Sequence, residues 1–214
     1  MAGLREQKKR DLRSRLSTLA TAMFLERGFD AVSVAEVAAA AGVSKMTVFN
    51  YFPRKEDLFF DRVPDLVEAL TGAVRERAPG VSPVGAVGAL LLHFIDTRNA
   101  FSGLSEGVAQ YWAVATASPA LRARLHEQGE ETEALLTRLL AEADGTDPES
   151  PDARLLGALV TAAARVCVAT AVRRQIAGEA PGSFAAAHRA FVAETFAHLD
   201  GAFPPQSGAT SRVR

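Results

Sequence analysis

Apolar residues recur at spacings of three and four along most of this 214-residue chain, and no apolar–polar alternation persists long enough to make a strand. The pattern predicts helices. Residues 5–27 place Leu12, Leu16, Leu19, Ala20, Met23 and Phe24 on one stripe, with Gly28 positioned as a C-terminal cap. Ser33 followed three residues later by Glu36 has the form of a capping box, so a second helix starts near Val34 and runs to a turn at Ala41-Gly42-Val43. Ser44 caps a third helix that ends before Pro53. The alanine run Ala38 to Ala41 suits close packing in so small a unit.

A fourth helix is expected from Arg54 through Leu58, Phe59, Val63, Leu66, Val67 and Leu70, bent at Pro64 because proline lacks an amide proton. Ser82-Pro83, Ser118-Pro119 and Ser150-Pro151 each join a serine cap to proline at the first helical position, predicting helices over 83–101, 119–144 and 151–177. A shorter helix spans 104–116 and a last one 183–203, after the turn at Pro181-Gly182-Ser183. The sum is an all-α chain of about nine helices. It divides into a three-helix N-terminal domain (1–53), a larger helical domain (54–203) and a disordered tail (204–214).

Charge sharpens this division. Residues 1–57 hold ten Lys or Arg against seven acids, and the remainder fourteen against eighteen, so +3 at one end faces −4 in the rest. Such an asymmetry suits a chain that meets phosphate with one end. Cys167 is the only cysteine, which excludes an intrachain disulfide or a multi-thiolate zinc site and fits a reducing compartment. The start has no apolar run after its charges, and no stretch of roughly 18 uninterrupted apolar residues follows. A cytoplasmic protein with no membrane partner and no cofactor is expected.

The two short helices hinged at Gly42 have the form of a helix-turn-helix DNA reader. At about 100° per residue, Val48 and Phe52 face the core, Lys45, Met46, Phe49 and Asn50 face outward, and Thr47 and Tyr51 form a flank toward the sugar-phosphate backbone. Lysine donates to guanine, methionine touches a thymine methyl and asparagine pairs with adenine in the major groove. Lys55 and the start of the fourth helix offer a phosphate clamp, and Lys8, Lys9 and Arg10 supply salt-dependent affinity. Taken singly, each of these residues has an ordinary explanation as a cap, a packing aromatic or a solvated lysine. Their concentration on one short helix after such a turn points to DNA.

These residues carry a family resemblance. Phe24 to Gly28, the stretch from Val34 to Ser44, and Thr47 to Leu58 together resemble the N-terminal domain of the tetracycline-repressor (TetR) family of bacterial regulators. The resemblance covers residues 5–60. It implies an all-helical homodimer that binds a palindromic double-stranded operator, usually represses, and leaves DNA when a small molecule enters the C-terminal domain. Carried residue by residue, it implies contacts from Ser33, Ser44, Lys45, Thr47, Asn50, Tyr51 and Lys55. The family often has tyrosine where this chain has Phe49, which removes one phosphate hydrogen bond.

In the family layout the last two long helices form the dimer seam, here 151–177 and 183–203. Leu155, Leu159, Val166, Val172, Phe184, Phe191, Phe196 and Leu199 supply apolar material for it. Among the preceding helices, His93, Phe94, Asp96, Tyr111, Trp112, Thr116, Thr161 and Arg165 are candidate linings of an effector pocket, the aromatic pair favouring an apolar guest.

Other chemistries fit less well. Gly103-Leu104-Ser105-Glu106-Gly107 matches a nucleophile-elbow pattern, but that chemistry needs a preceding strand, and two helices joined by a loop account for the glycines. His93 and Asp96 lie three apart, a metal-ligand spacing with no second close pair. Cys167, between Val166 and Val168, reads as a small buried hydrophobe. A small-molecule binder or enzyme that keeps the reader shape unused is the alternative, and the residues do not decide between repressor and activator.

Overall fold

A computed structural model describes residues 2–203 and, of Ala2, Leu4 and Arg5, the backbone alone. The tail expected over 204–214 lies outside the described residues. The described residues are all-helical: α1 (Ala2–Arg27), α2 (Val34–Ala41), α3 (Lys45–Tyr51), α4 (Lys55–Phe59), α5 (Val63–Arg75), α6 (Pro83–Asp96), α7 (Val108–Ala117), α8 (Pro119–Asp144), α9 (Pro151–Ile176) and α10 (Pro181–Ala202). A single 3-10 turn, Ala100–Ser102, precedes α7.

Local chemistry sets most of these ends. The side chains of Ser82 and Ser150 accept from Gly85 N at 2.9 Å and Ala153 N at 3.2 Å, with proline following each in the first turn. Pro181 opens α10 two residues before the expected start, because the first turn needs no amide from it. The predicted fourth helix is two helices. Pro64 stands second in α5, where its missing N–H costs nothing, so the expected bend becomes a break after Phe59. Helix α6 ends at Asp96 rather than 101, where Thr97 caps it with a bond from its N–H to His93 O.

The helices form two compact units, divided at Val63–Pro64 rather than at the expected 53–54. Among the described residues the first unit comprises 2–63 and 110–125, so the C-terminal part of α7 and the first turns of α8 belong with α1–α4. Leu16, Ala20, Phe24, Val37, Val48, Phe52, Leu58 and Phe59 form its core, together with Ala115 and Leu121. The second unit, 64–109 and 126–203 among the described residues, packs Val87, Leu91, Phe94 and Ile95 of α6 with Leu136 and Leu140 of α8, Val160 and Cys167 of α9, and Phe184, Val192 and Phe196 of α10. Gly88 allows α10 to approach α6, since a Cβ there would stand 2.7 Å from Phe196 Cβ. Cys167 is buried as expected, and burial pushes its thiol up from its ordinary value.

By length and composition α9 would pass for a membrane span. Here its Gly157, Val160, Cys167 and Ala171 are buried in the second unit, and Arg154, Arg165, Arg173 and Arg174 interrupt its apolar surface. Leu155, Val166 and Ile176 remain exposed along it.

His188 on α10 is 3% exposed, set between the rings of Phe184 and Phe191 at 6.3 and 6.2 Å. Burial pushes its imidazole below the ordinary 6.5, and the charge of Arg174 adds to the shift. The unfolded chain therefore takes up a proton below pH 6.5 that the native state resists, so this group removes stability as pH falls through that value. The melting temperature of the chain is expected to fall between about pH 7 and about pH 5, and to fall less in His188→Leu. Equal pH dependence in the two proteins would refute the assignment.

Candidate nucleic-acid interface

Helix α2 is fixed at both ends. Ser33 Oγ accepts from Glu36 N at 3.2 Å, and Glu36 Oε2 accepts from Ser33 N at 2.8 Å. This backbone donor is the first cause of a Glu36 carboxyl held at about 2, followed by Arg27, whose guanidinium donates to it at 2.7 Å. At the other end Gly42 takes the left-handed conformation (φ 68°), and Val43 N reaches back to Ala38 O at 3.0 Å. That conformation, which favours glycine, sets the turn into α3.

Ser44 then caps α3, accepting from Thr47 N at 3.0 Å, while the Ser44 and Thr47 hydroxyls share a 2.8 Å hydrogen bond. Val48 is 0% and Phe52 1% exposed, which fixes the helix rotation so that Lys45, Met46, Phe49 and Asn50 face solvent. Tyr51 is half-buried against the first unit's core, and its carbonyl accepts from Arg13 Nη1 at 3.0 Å. Ser33 and Ser44, expected at phosphate, are engaged in capping, and their outer faces remain exposed.

Lys55 departs from expectation. Its Nζ donates to Phe29 O at 2.6 Å and lies 4.0 Å above the Phe29 ring and 5.6 Å from that of Phe24. Burial lowers its pKa from the ordinary value, although the charges of Asp30, Glu56 and Glu36 oppose the shift. The ammonium is thus turned toward the unit's own carbonyl and ring faces, held there by a hydrogen bond and cation–π attraction.

Arg13 was missed in the sequence and is structurally central. Its guanidinium stands 4.4 Å from the Phe52 ring centre and also donates to Asp61 O at 3.2 Å, tying α1 to the chain just after α3 and just after α4. The available signal was an arginine three residues before Leu16, on the edge of the apolar stripe.

The proposed pocket linings do not converge. Tyr111 belongs to the first unit, where its ring stacks on Phe59 at 4.2 Å and its hydroxyl donates to Phe59 O at 2.9 Å. Burial, helped by the charge of Asp61, raises its phenol above the ordinary range. Trp112 packs edge-on against Tyr111 at 6.4 Å, and the Thr116 hydroxyl is turned back to Trp112 O at 2.7 Å. In the second unit His93 and Arg165 are exposed, Phe94 is in the core, and Asp96 is held below its ordinary pKa by Arg189, which it meets at 2.7 Å. Thr161 differs from these, for its Oγ1 is buried without a hydrogen-bond partner. An open depression of about 250 Å³ is lined instead by Val74, Arg75, Arg77, Leu139, Glu142 and Ala143. Ser105 lies in a loop between helices, with no strand before it among the described residues.

A capped helix, a left-handed glycine turn and a short second helix with its polar and apolar groups turned outward have the form of a helix-turn-helix motif. Residues 18–61 match the model of bacterial regulatory proteins of the tetR family. The HTH-type transcriptional regulator TcmR of Streptomyces glaucescens is 31% identical over 151 residues, spanning 68% of this chain and 66% of that protein, just under two thirds of its length. The chain belongs to the TetR family. Its fold is shared by NalD, the secondary repressor of the MexAB-OprM multidrug efflux pump in Pseudomonas aeruginosa (18% identity, 87% of this chain and 97% of that one, TM-score 0.56). It is also shared by Thermus thermophilus FadR, a TetR-family repressor solved with lauroyl-CoA (23% identity, 93% and 99% covered, TM-score 0.51). Regulators of this family bind operator DNA and small-molecule effectors and act as dimers.

Two substitutions test these placements. Tyr111→Phe keeps the stack on Phe59 and strands its carbonyl, so chemical denaturation should register a loss of about 1 kcal/mol; a residue lining an empty pocket would show none. Lys55→Met should leave the slope of log affinity for DNA against log salt unchanged, whereas loss of a phosphate contact would reduce it by about 1.

Proposed function

We propose that this chain is a homodimeric transcriptional repressor acting in the cytoplasm, released from a palindromic operator by a small molecule. The observation that carries this reading is the solvent-facing arc of α3, with Lys45, Met46, Phe49 and Asn50 outward and Val48 and Phe52 locked beneath. Thr47 and Tyr51 flank that arc, and Lys8, Lys9 and Arg10 are exposed on α1, where they would add phosphate contacts.

Dimerisation through α9 and α10 is supported by what one chain leaves uncovered. Leu155 is 52%, Val166 44%, Ile176 57% and Phe191 40% exposed, and Leu155 and Val166 are about three helical turns apart on one face. Two copies would bury this surface and present two readers to a twofold operator. A ligand in the second unit is supported by the unpartnered Thr161 hydroxyl, a group whose burial costs about 1–3 kcal/mol until something bonds to it. Such a ligand releases DNA only if it prefers the state that does not bind operator.

The test is a band shift with the duplex upstream of the chain's own gene, paired with sedimentation of Val166→Glu. The wild-type chain should sediment as a dimer and retard that duplex at moderate salt. Val166→Glu, altering an exposed site, should keep its helical signal yet sediment as a monomer and lose at least tenfold in affinity, about 1.4 kcal/mol. A wild-type chain that sediments as a monomer, or binds all duplexes alike, would overturn the reading.

A further inference from the structure

The centre of the outward arc of α3 is apolar and has no structural use. At about 100° per residue its members run Lys45, Phe49, Met46, Asn50 in angular order, so the polar side chains hold the edges and the apolar pair the middle. Met46 is 69% and Phe49 37% exposed, and the first unit's core closes without either. Lys45 Nζ lies 5.7 Å over the Phe49 ring, within the reach of cation–π attraction, so one edge of the arc is a single ammonium–aromatic unit. Two large apolar side chains at the middle of the outward arc of a seven-residue helix select what they can touch.

In the major groove only thymine presents an apolar group, its 5-methyl. The other base edges present donors and acceptors that an apolar neighbour would desolvate without pairing. We infer that Met46 and Phe49 read thymine 5-methyl groups at the centre of each half-site, with Asn50 and Lys45 reading the base pairs to either side. The inference rests on the regulator reading above and names the base chemistry that reading leaves open.

Uracil tests it directly, because replacing thymine by uracil keeps every hydrogen-bonding group and deletes only the methyl. The full-length chain first selects duplexes from a random-sequence pool, and each thymine of the selected sequence is then replaced singly. At least one position in each half-site should lose about fourfold in affinity, the worth of one buried methyl. Met46→Ala or Phe49→Ala should bind the thymine and uracil duplexes equally there. Asn50→Ala should bind both more weakly and keep their ratio. Selective retention with no uracil effect at any position overturns the inference and leaves the regulator standing. A uracil effect undiminished in both Met46→Ala and Phe49→Ala also overturns it, assigning the effect to DNA shape. Retention of no sequence over the pool overturns the regulator reading and this inference together.

Discussion

A seven-residue helix is too short to hold its own shape in water, so α3 inherits its position from what lies beneath it. That support is an aromatic cluster in which Phe24, Phe29, Phe59, Phe60 and Tyr111 lie with neighbouring ring centres 4.2 to 6.4 Å apart. Rings of this size bury much area and pack in few ways, so the cluster sets where α1 and α4 stand. Val48 and Phe52 then seat α3 on the same core. Arg13 and Lys55 close the edges by turning cations onto ring faces and onto carbonyl oxygens that no helix uses. The outer face of α3 carries no packing burden, which leaves its composition free to follow what it would bind.

Features written in neighbouring residues were legible in the sequence. Ser33 and Glu36, Gly42, and the Ser-Pro pairs at 82 and 150 act within one helical turn, and the structure places each where local rules require. The rotation of α3 was legible too, because only Val48 and Phe52 fit a core. What escaped depends on distant partners. Tyr111 and Trp112 have the chemistry of a ligand pocket, and nothing near them in the chain says that Phe59 is the ring they meet. Lys55 opens α4 as a phosphate-binding lysine would, and Phe29, far back in the chain, accepts from its ammonium. The expected effector linings lie apart for the same reason, since spacing along helices does not state which faces enclose a space.

The two units use exposure differently. In the first, exposed apolar side chains cluster on the reader helix, beside polar groups suited to base edges. In the second most of them lie along α9 and α10, where a helix apolar enough to pass for a membrane span leaves much of its surface exposed. Burial elsewhere in that unit is close, as the approach of Phe196 to Gly88 shows. Exposed apolar surface in a chain that otherwise packs tightly marks where another molecule completes the structure.

The segment 110–125 makes the first unit discontinuous in sequence. Ser118 donates to Asp30 at 2.9 Å, Arg124 meets Asp57 at 3.2 Å, and Ala115 and Leu121 are wholly buried among residues from the first sixty. A fragment cut at Val63 would expose the Phe59 ring and strand two carboxylates, so the reader is not a cassette that can be excised and grafted. Exchanging its specificity with that of a relative requires transplanting two separate stretches of chain, or redesigning the α3 surface alone.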